Sequence, residues 1–390
     1  MSGYILMKYL KYISAVLFML AITSCRESII NGPEDNIASI PQLDTYISDG
    51  NYQILQENRF SNVSVAADIF AGREKLSATL EAQGAGSRYF PKWGYYVRLD
   101  NGQEIGGENS FNLSAQPHDR TMLRSILASY IYSEAGFEVF HSSHVFLKIN
   151  GKPKGLYLLT EKIDEVFFAK RDIPVHELIK VIFEAKFSFT ELNNPASCFE
   201  KKIPDDNNLN NLRDFIHCLD NSDNSDLFQR LGKYLDIRQY LMYHAVTSVL
   251  NNLDGFENNF YLVKDYPDSP YRILPWDFDK TFDTGINVGL AGNNAIIRKL
   301  LQNDSCLSIY KSDLRMILNS CFTEDRLYPI IDSVYIKIKG AYNEDPYLGA
   351  NGISLEDEIS ELKRFIRERR AYLLNNIDSF RGLTDKWGEL

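Results

Sequence analysis

The chain has 390 residues, of which 44% are hydrophobic and 13% aromatic, and its formal net charge is −10. That length allows one large or two ordinary domains with real cores, and that apolar content excludes a disordered chain. The acidic balance, with no sustained basic run, excludes a broad nucleic-acid-binding surface.

Met7–Lys11 is a short basic segment, and Ile13–Ile22 is an apolar run too short for a comfortable transmembrane span. The run ends in Ile22-Thr23-Ser24-Cys25, small residues before a cysteine. This resembles a bacterial lipoprotein signal with its lipobox. The resemblance implies a signal peptide over residues 1–24, lipidation of Cys25 and a membrane-anchored place in the cell envelope. A polar tether over residues 25–45 follows. The other cysteines, Cys198, Cys218, Cys306 and Cys321, form no CxxC pair, which argues against a zinc site. Two disulfides and buried free thiols both fit them.

Weak alternation over Gln53–Ala66 predicts early strands, and Lys75–Gln83 and Trp93–Leu99 predict a pair. Between that pair lies Gly84-Ala85-Gly86-Ser87-Arg88-Tyr89-Phe90-Pro91-Lys92, whose glycines would let backbone approach an anion while Arg88 and Lys92 supply charge. The plain alternative is a glycine-containing hairpin with solvated basic residues. Apolar spacing predicts a helix over Asp119–Glu134. Asn150-Gly151 between apolar runs predicts a hairpin, followed by the polar segment Glu161–Asp164 and a helix over Glu165–Lys170. His141 and His144 read as structural or surface residues. Residues 174–226 show only a short helix between polar loops, whereas Ile237–Leu250 is apolar nearly all round and predicts a core helix, with His244 as a core histidine.

That helix delivers the chain to Asn251–Phe282, the stretch richest in chemistry. Asp254 stands in a polar loop with Asn258 and Asn259 behind it. The apolar runs Phe260–Val263 and Tyr271–Leu274 flank a turn and predict a hairpin, after which Asp277 and Asp279 follow in WDFDKTF. Pairing of the two runs would bring Asp277 beside Asn259 and Asp254, although 23 positions separate the two aspartates. Such a cluster of hard oxygen ligands suits a hard cation and phosphate. Taken alone, Asp254-Gly255 is only a turn. Trp276 reads as packing that fixes Asp277. Four further helices are predicted, over Ile296–Leu301, Ser308–Asn319, Glu324–Ala341 and Ser354–Ile377, the last opening on a capping box.

A β-rich half, a buried helix, a D-x-x-x-x-N loop, a hairpin and D-F-x is the order of parts in protein-kinase-like folds. More closely, the chain resembles the spore-coat-protein-H (CotH) family of atypical secreted kinases. The stretches that carry the resemblance are GAGSRYFPKWGYYVRL, DRTMLRSILASYIYSEAG, LKINGKPKGLYLLTEKID, NNLDGFENNFYLVKD and YRILPWDFDKTF, within residues 75–285. The resemblance implies an α+β, atypical protein-kinase-like two-lobed fold, with a β-rich N-lobe over 46–164 and a mostly helical C-lobe over 165–390. It further implies transfer of the γ-phosphate of ATP to protein Ser/Thr hydroxyls with Mg²⁺ or Mn²⁺. Carried over residue by residue, Asp254 orients or deprotonates the acceptor. Asn259 and Asp277 hold the metal, with Asp279 as a possible second carboxylate. Arg88 and Lys92 meet the phosphates, and Glu161 lies near the hinge that seats adenine. The sequence departs from the kinase pattern in lacking GxGxxG and V-A-I-K, which leaves Arg98 competing with Lys92. Asn252-Leu253 stands where His-Arg would precede the catalytic aspartate, and Asp279 replaces the glycine of D-F-G. A pseudokinase-like assembly protein and a metal-dependent phosphate hydrolase are the competing readings.

Overall fold

The computed structural model describes residues 40–222, 227–283, 285, 289–292 and 294–382. The leader, Cys25 and most of the tether lie outside them, as do residues 287–288 and 293 of the glycine- and asparagine-rich stretch.

Seven strands close a barrel in the order β1-β2-β3-β4-β5-β7-β6. They are β1 (Gln42–Tyr46), β2 (Ser64–Ala71), β3 (Glu74–Gln83), β4 (Gly94–Leu99), β5 (Ser110–Ser114), β6 (Ser142–Ile149) and β7 (Lys152–Glu161). Alternation drives closure: β3 buries Leu76, Ala78, Leu80 and Ala82 and turns the residues between them outward. The β6–β7 turn places Asn150 (φ 51°) and Gly151 (φ 74°) both in the left-handed region, as a tight hairpin requires.

Two expectations are corrected here. Residues 42–45 are not tether: they belong to β1, which pairs antiparallel with β2 and parallel with β6, burying Leu43 and Thr45. Of the weakly alternating Gln53–Ala66, only Ser64–Ala66 is strand, within β2, whereas Gln53–Glu57 is helical, within α1 (Asp49–Glu57), because the Ser48 hydroxyl accepts from the Asn51 N–H and caps it.

The remaining elements share a second, larger core. Helix α2 (Arg124–Glu134) belongs to it although it lies between barrel strands in sequence. It starts later than the spacing predicts because the Asp119 carboxylate accepts from the N–H groups of Thr121 (2.9 Å) and Arg124 (2.8 Å) and holds the preceding turn. Next come α3 (Glu165–Ala169), β8 (Glu177–Val181), β9 (Phe199–Ile203), α4 (Asn210–Asn221), α5 (Leu227–Leu231) and α6 (Ile237–Val249). The predicted hairpin follows as β10 (Phe260–Lys264) and β11 (Arg272–Pro275), and four helices complete the chain: α7 (Ala295–Leu301), α8 (Asp304–Ser320), α9 (Glu324–Glu344) and α10 (Leu355–Asn376). A four-stranded sheet in the order β11-β10-β8-β9 runs through this part. Strands β8 and β9 lie in the region whose sequence showed only a helix. Helix α6 is buried almost throughout, with His244 inside, as its apolar circumference predicts. Cys198, Cys218, Cys306 and Cys321 are free thiols.

Candidate active site

The β10–β11 register decides the site. Phe260 faces Pro275 and Tyr261 faces Leu274, so the residues that flank the hairpin's open end meet. Asn259 completes the junction with its backbone: its N–H donates to the Val181 carbonyl and its own carbonyl accepts from the Trp276 N–H, each at 3.1 Å. Asp277 is therefore held one residue from Asn259's partner. Both Asn259 (φ 60°) and Asp277 (φ 58°) adopt left-handed backbone, which their short polar side chains tolerate.

Asp254 opens a 3-10 turn directly after α6. Helix α6 fixes that turn through the Tyr243 hydroxyl, which donates to the Gly255 carbonyl at 2.6 Å. Asn294 does the same from the far side, donating to the Phe256 carbonyl at 2.7 Å. Phe278 is clamped between aromatic rings, stacked on Tyr132 of α2 (5.1 Å) and on Phe140 (5.3 Å). Trp276 packs edge-on against Phe140 at 4.7 Å. With the intervening phenylalanine anchored, Asp277 and Asp279 are presented from a rigid stretch.

The electrostatics of the cluster favour a cation. Lys280 forms an ion pair with Asp254 at 2.7 Å. Burial, with the Asp254 charge, holds Asp277 above the ordinary carboxylate range despite the nearby Lys180 and Lys280. Burial, followed by the charges of Asp277 and Asp119, raises Asp279 well above that range. Desolvated carboxylates that repel one another are stabilised by a hard divalent ion. Among the described residues no three or more His, Cys, Asp or Glu side chains form a ready-made metal cage. Mg²⁺ does not need one, since it keeps several waters and takes one or two carboxylates plus phosphate oxygens. Asp277 and Asn259, with Asp279 beside them, fit that sparse donor set.

The residues expected to bind nucleotide are placed differently. Lys92 is buried, and its ammonium donates to the Leu156 carbonyl (2.5 Å) and to Asp345 (2.8 Å). Asp345, just beyond α9, also accepts from the Leu156 N–H at 2.7 Å, and a Cβ on Gly155 would collide with its carboxylate. Lys92 thus ties the barrel to the C-terminal helices, and only its third N–H is left for a phosphate. Arg88 bonds within its own region, to the carbonyls of Gly84 and Arg59. Glu161 is buried and grips Arg171 with both oxygens (2.8 and 2.6 Å) while accepting from the His141 N–H (3.1 Å). Burial opposes its ionisation, but those partners outweigh it and keep its carboxyl below the usual range. It fastens β7 to α3, and its side chain does not offer itself to a base. Arg98 is exposed on β4 beside Tyr96. The glycine-containing turn nevertheless reaches the site through Phe90, whose ring meets His118 edge-on at 5.1 Å. His118 in turn lies within the fields of Asp254 and Lys280.

Sequence reasoning missed Lys180, Lys280 as the partner of Asp254, and Asp119. Lys180 left one signal, a single cation inside the apolar run Leu178-Ile179-Lys180-Val181-Ile182.

This arrangement coincides with a family. The profile of the CotH kinase protein family matches residues 80–373, and the chain belongs to that family. Two relatives come from Bacillus subtilis (strain 168). The inner spore coat protein H is 24% identical over 357 residues, covering 88% of this chain and 99% of the relative. An inner spore coat protein H-like protein is 23% identical over 274 residues, covering 68% and 80%. Among solved structures, the Helicobacter pylori proinflammatory kinase CtkA aligns at 15% identity and a TM-score of 0.36, over 73% of this chain and 93% of that one. HipA, in the Shewanella oneidensis HipA–HipB–operator DNA complex, aligns at 12% identity and a TM-score of 0.41, over 92% and 76%.

Proposed function

We propose that this protein is an ATP-dependent kinase with an atypical protein-kinase-like fold, which phosphorylates Ser/Thr hydroxyls of a protein substrate with Mg²⁺ or Mn²⁺. The observation that supports the reading is the β10–β11 register, which joins Asn259 to the residue before Asp277, together with the charge of Asp254 acting on Asp277 and of both on Asp279. In this reading Asp254 hydrogen-bonds the acceptor hydroxyl and takes its proton. The hydroxyl oxygen forms the new bond to the γ-phosphorus, the bond from that phosphorus to the β–γ bridging oxygen breaks, and its electron pair leaves with ADP. Asn259 and Asp277 would hold the metal, with Asp279 adding charge, and the ion when bound would supply positive charge to the phosphate oxygens. Phosphoryl transfer asks a protein mainly for such positioning and neutralisation.

The basic Met7–Lys11 segment, the apolar Ile13–Ile22 run and Cys25 support attachment to a bacterial cell envelope through lipid on Cys25. Cys25→Ser should move the protein out of the membrane fraction.

The kinase reading is tested by transfer of label from γ-labelled ATP to a Ser-rich protein, with a metal chelator as control. Metal-dependent labelling of the acceptor is expected. Release of free phosphate without acceptor labelling would make the protein a hydrolase, and neither product would make it a binding protein.

A further inference from the structure

The three residues first expected to meet nucleotide are largely committed to protein partners, so the donor phosphates lack an assigned cation. One face of the β11-β10-β8-β9 sheet supplies one. In antiparallel register Lys180 faces Tyr261 on one side and Glu200 on the other, and Tyr261 faces Leu274. Side chains directly opposite share a face, and faces alternate along a strand. Lys180, Glu200, Tyr261 and Leu274 therefore share one face, and Trp276 follows directly beyond the end of β11. The Trp276 and Tyr261 rings lie 6.1 Å apart, which agrees with this assignment. Asn259 immediately precedes β10, and its N–H donates to the carbonyl of Val181, the residue after Lys180, at 3.1 Å.

Lys180 is half-buried, and its ammonium makes no hydrogen bond or ion pair among the described residues. Glu200, directly across on β9, makes its described ion pair with Lys202 instead. A plain cross-strand pairing thus does not account for Lys180. A partly desolvated cation without a hydrogen-bonded partner is costly unless an anion meets it. Among the charges that act on Lys180, that of Asp277 comes first, ahead of Lys202 and Glu200.

Resting on the kinase reading above, we propose that Lys180 is the donor-side phosphate-binding residue, meeting the polyphosphate chain of the nucleoside triphosphate beside Asn259 and Asp277. Tyr261 on the same face, with Trp276 against it, shields that contact from water.

The test measures binding of adenosine, ADP and ATP, each with Mg²⁺, to the wild type and to Lys180→Met, Lys180→Arg and Lys202→Met. Lys180→Met should weaken ADP and ATP by about 10- to 100-fold, the range of a charge-assisted hydrogen bond, and leave adenosine unchanged. Lys180→Arg should recover part of that loss, and Lys202→Met, on the exposed end of the same sheet, should change nothing. Undiminished ATP binding by Lys180→Met would overturn the assignment. Equal loss of adenosine would also overturn it, by placing Lys180 at the base or in the frame of the pocket. If the wild type binds no nucleotide, the kinase reading itself fails, an outcome distinct from both.

Discussion

Lys280 and Asp254 form an ion pair of 2.7 Å at the mouth of the acidic cluster, between the turn that follows α6 and the segment that follows β11. The lysine also feels Asp279 and Asp277, so one ammonium serves three carboxylates. Its pairing holds the Asp254 side chain in a defined place before any acceptor arrives. Asp254→Asn keeps a hydrogen-bonding side chain there and removes the proton acceptor. Label transfer should fall by about 10²- to 10⁴-fold, the usual contribution of a positioned base, with an unchanged melting temperature. Labelling rates and thermal denaturation of the two proteins check this.

Asp277→Asn tests the metal role without disturbing the left-handed backbone at that position, because asparagine tolerates it. Wild type should gain about 2.7 kcal/mol from Mg²⁺–ATP at one hundred times its dissociation constant. The variant should lose that metal-dependent gain in melting temperature while its ligand-free melting temperature stays level or rises, since a desolvated carboxylate has been neutralised. A full metal-dependent shift in the variant would remove Asp277 from the metal site.

The Lys92–Asp345 bridge makes a stability prediction. Burial lowers the lysine's proton affinity and Asp345 restores part of it. Asp345→Ala strands that buried charge and also deprives the N–H groups of Leu156 and Tyr347 of their acceptor. The cost should be about 3–5 kcal/mol in urea denaturation. Adding Lys92→Met to Asp345→Ala should recover part of it, because the uncompensated charge is then gone.

His244 sets a pH dependence. Its Nε2 accepts from the Gly292 N–H at 2.8 Å, and burial pushes its pKa down to about 3 from an ordinary 6.5. A lowered histidine pKa means the fold prefers the neutral ring. The associated stability is complete above pH 6.5 and is lost as pH falls toward 3. At pH 5 the loss should reach about 2 kcal/mol. His244→Gln keeps an acceptor for Gly292 and cannot titrate, so it should lose less stability between pH 7.5 and pH 5 in matched denaturant titrations.

The sequence alone carried most of the local structure around the site. The circumference of α6, the β10–β11 hairpin and the Asn150-Gly151 turn were legible because periodicity and turn chemistry are local properties. The adjacency of Asn259 and Asp277 was legible for the same reason, since a hairpin returns the chain to its own start. Strands β8 and β9 were hidden because their pairing partners and the loops between them give no regular period, and β1 because its partners lie far along the chain. The uses of Lys92, Glu161 and Lys180 were decided only in three dimensions. Asp345, 253 positions from Lys92, captures one charge, and Arg171 captures another through a turn of backbone. Lys180 becomes a site residue through strand register with Tyr261. A side chain's type is written in the sequence, but whether its charge is spent on the fold or left for a ligand depends on which distant groups the fold packs against it.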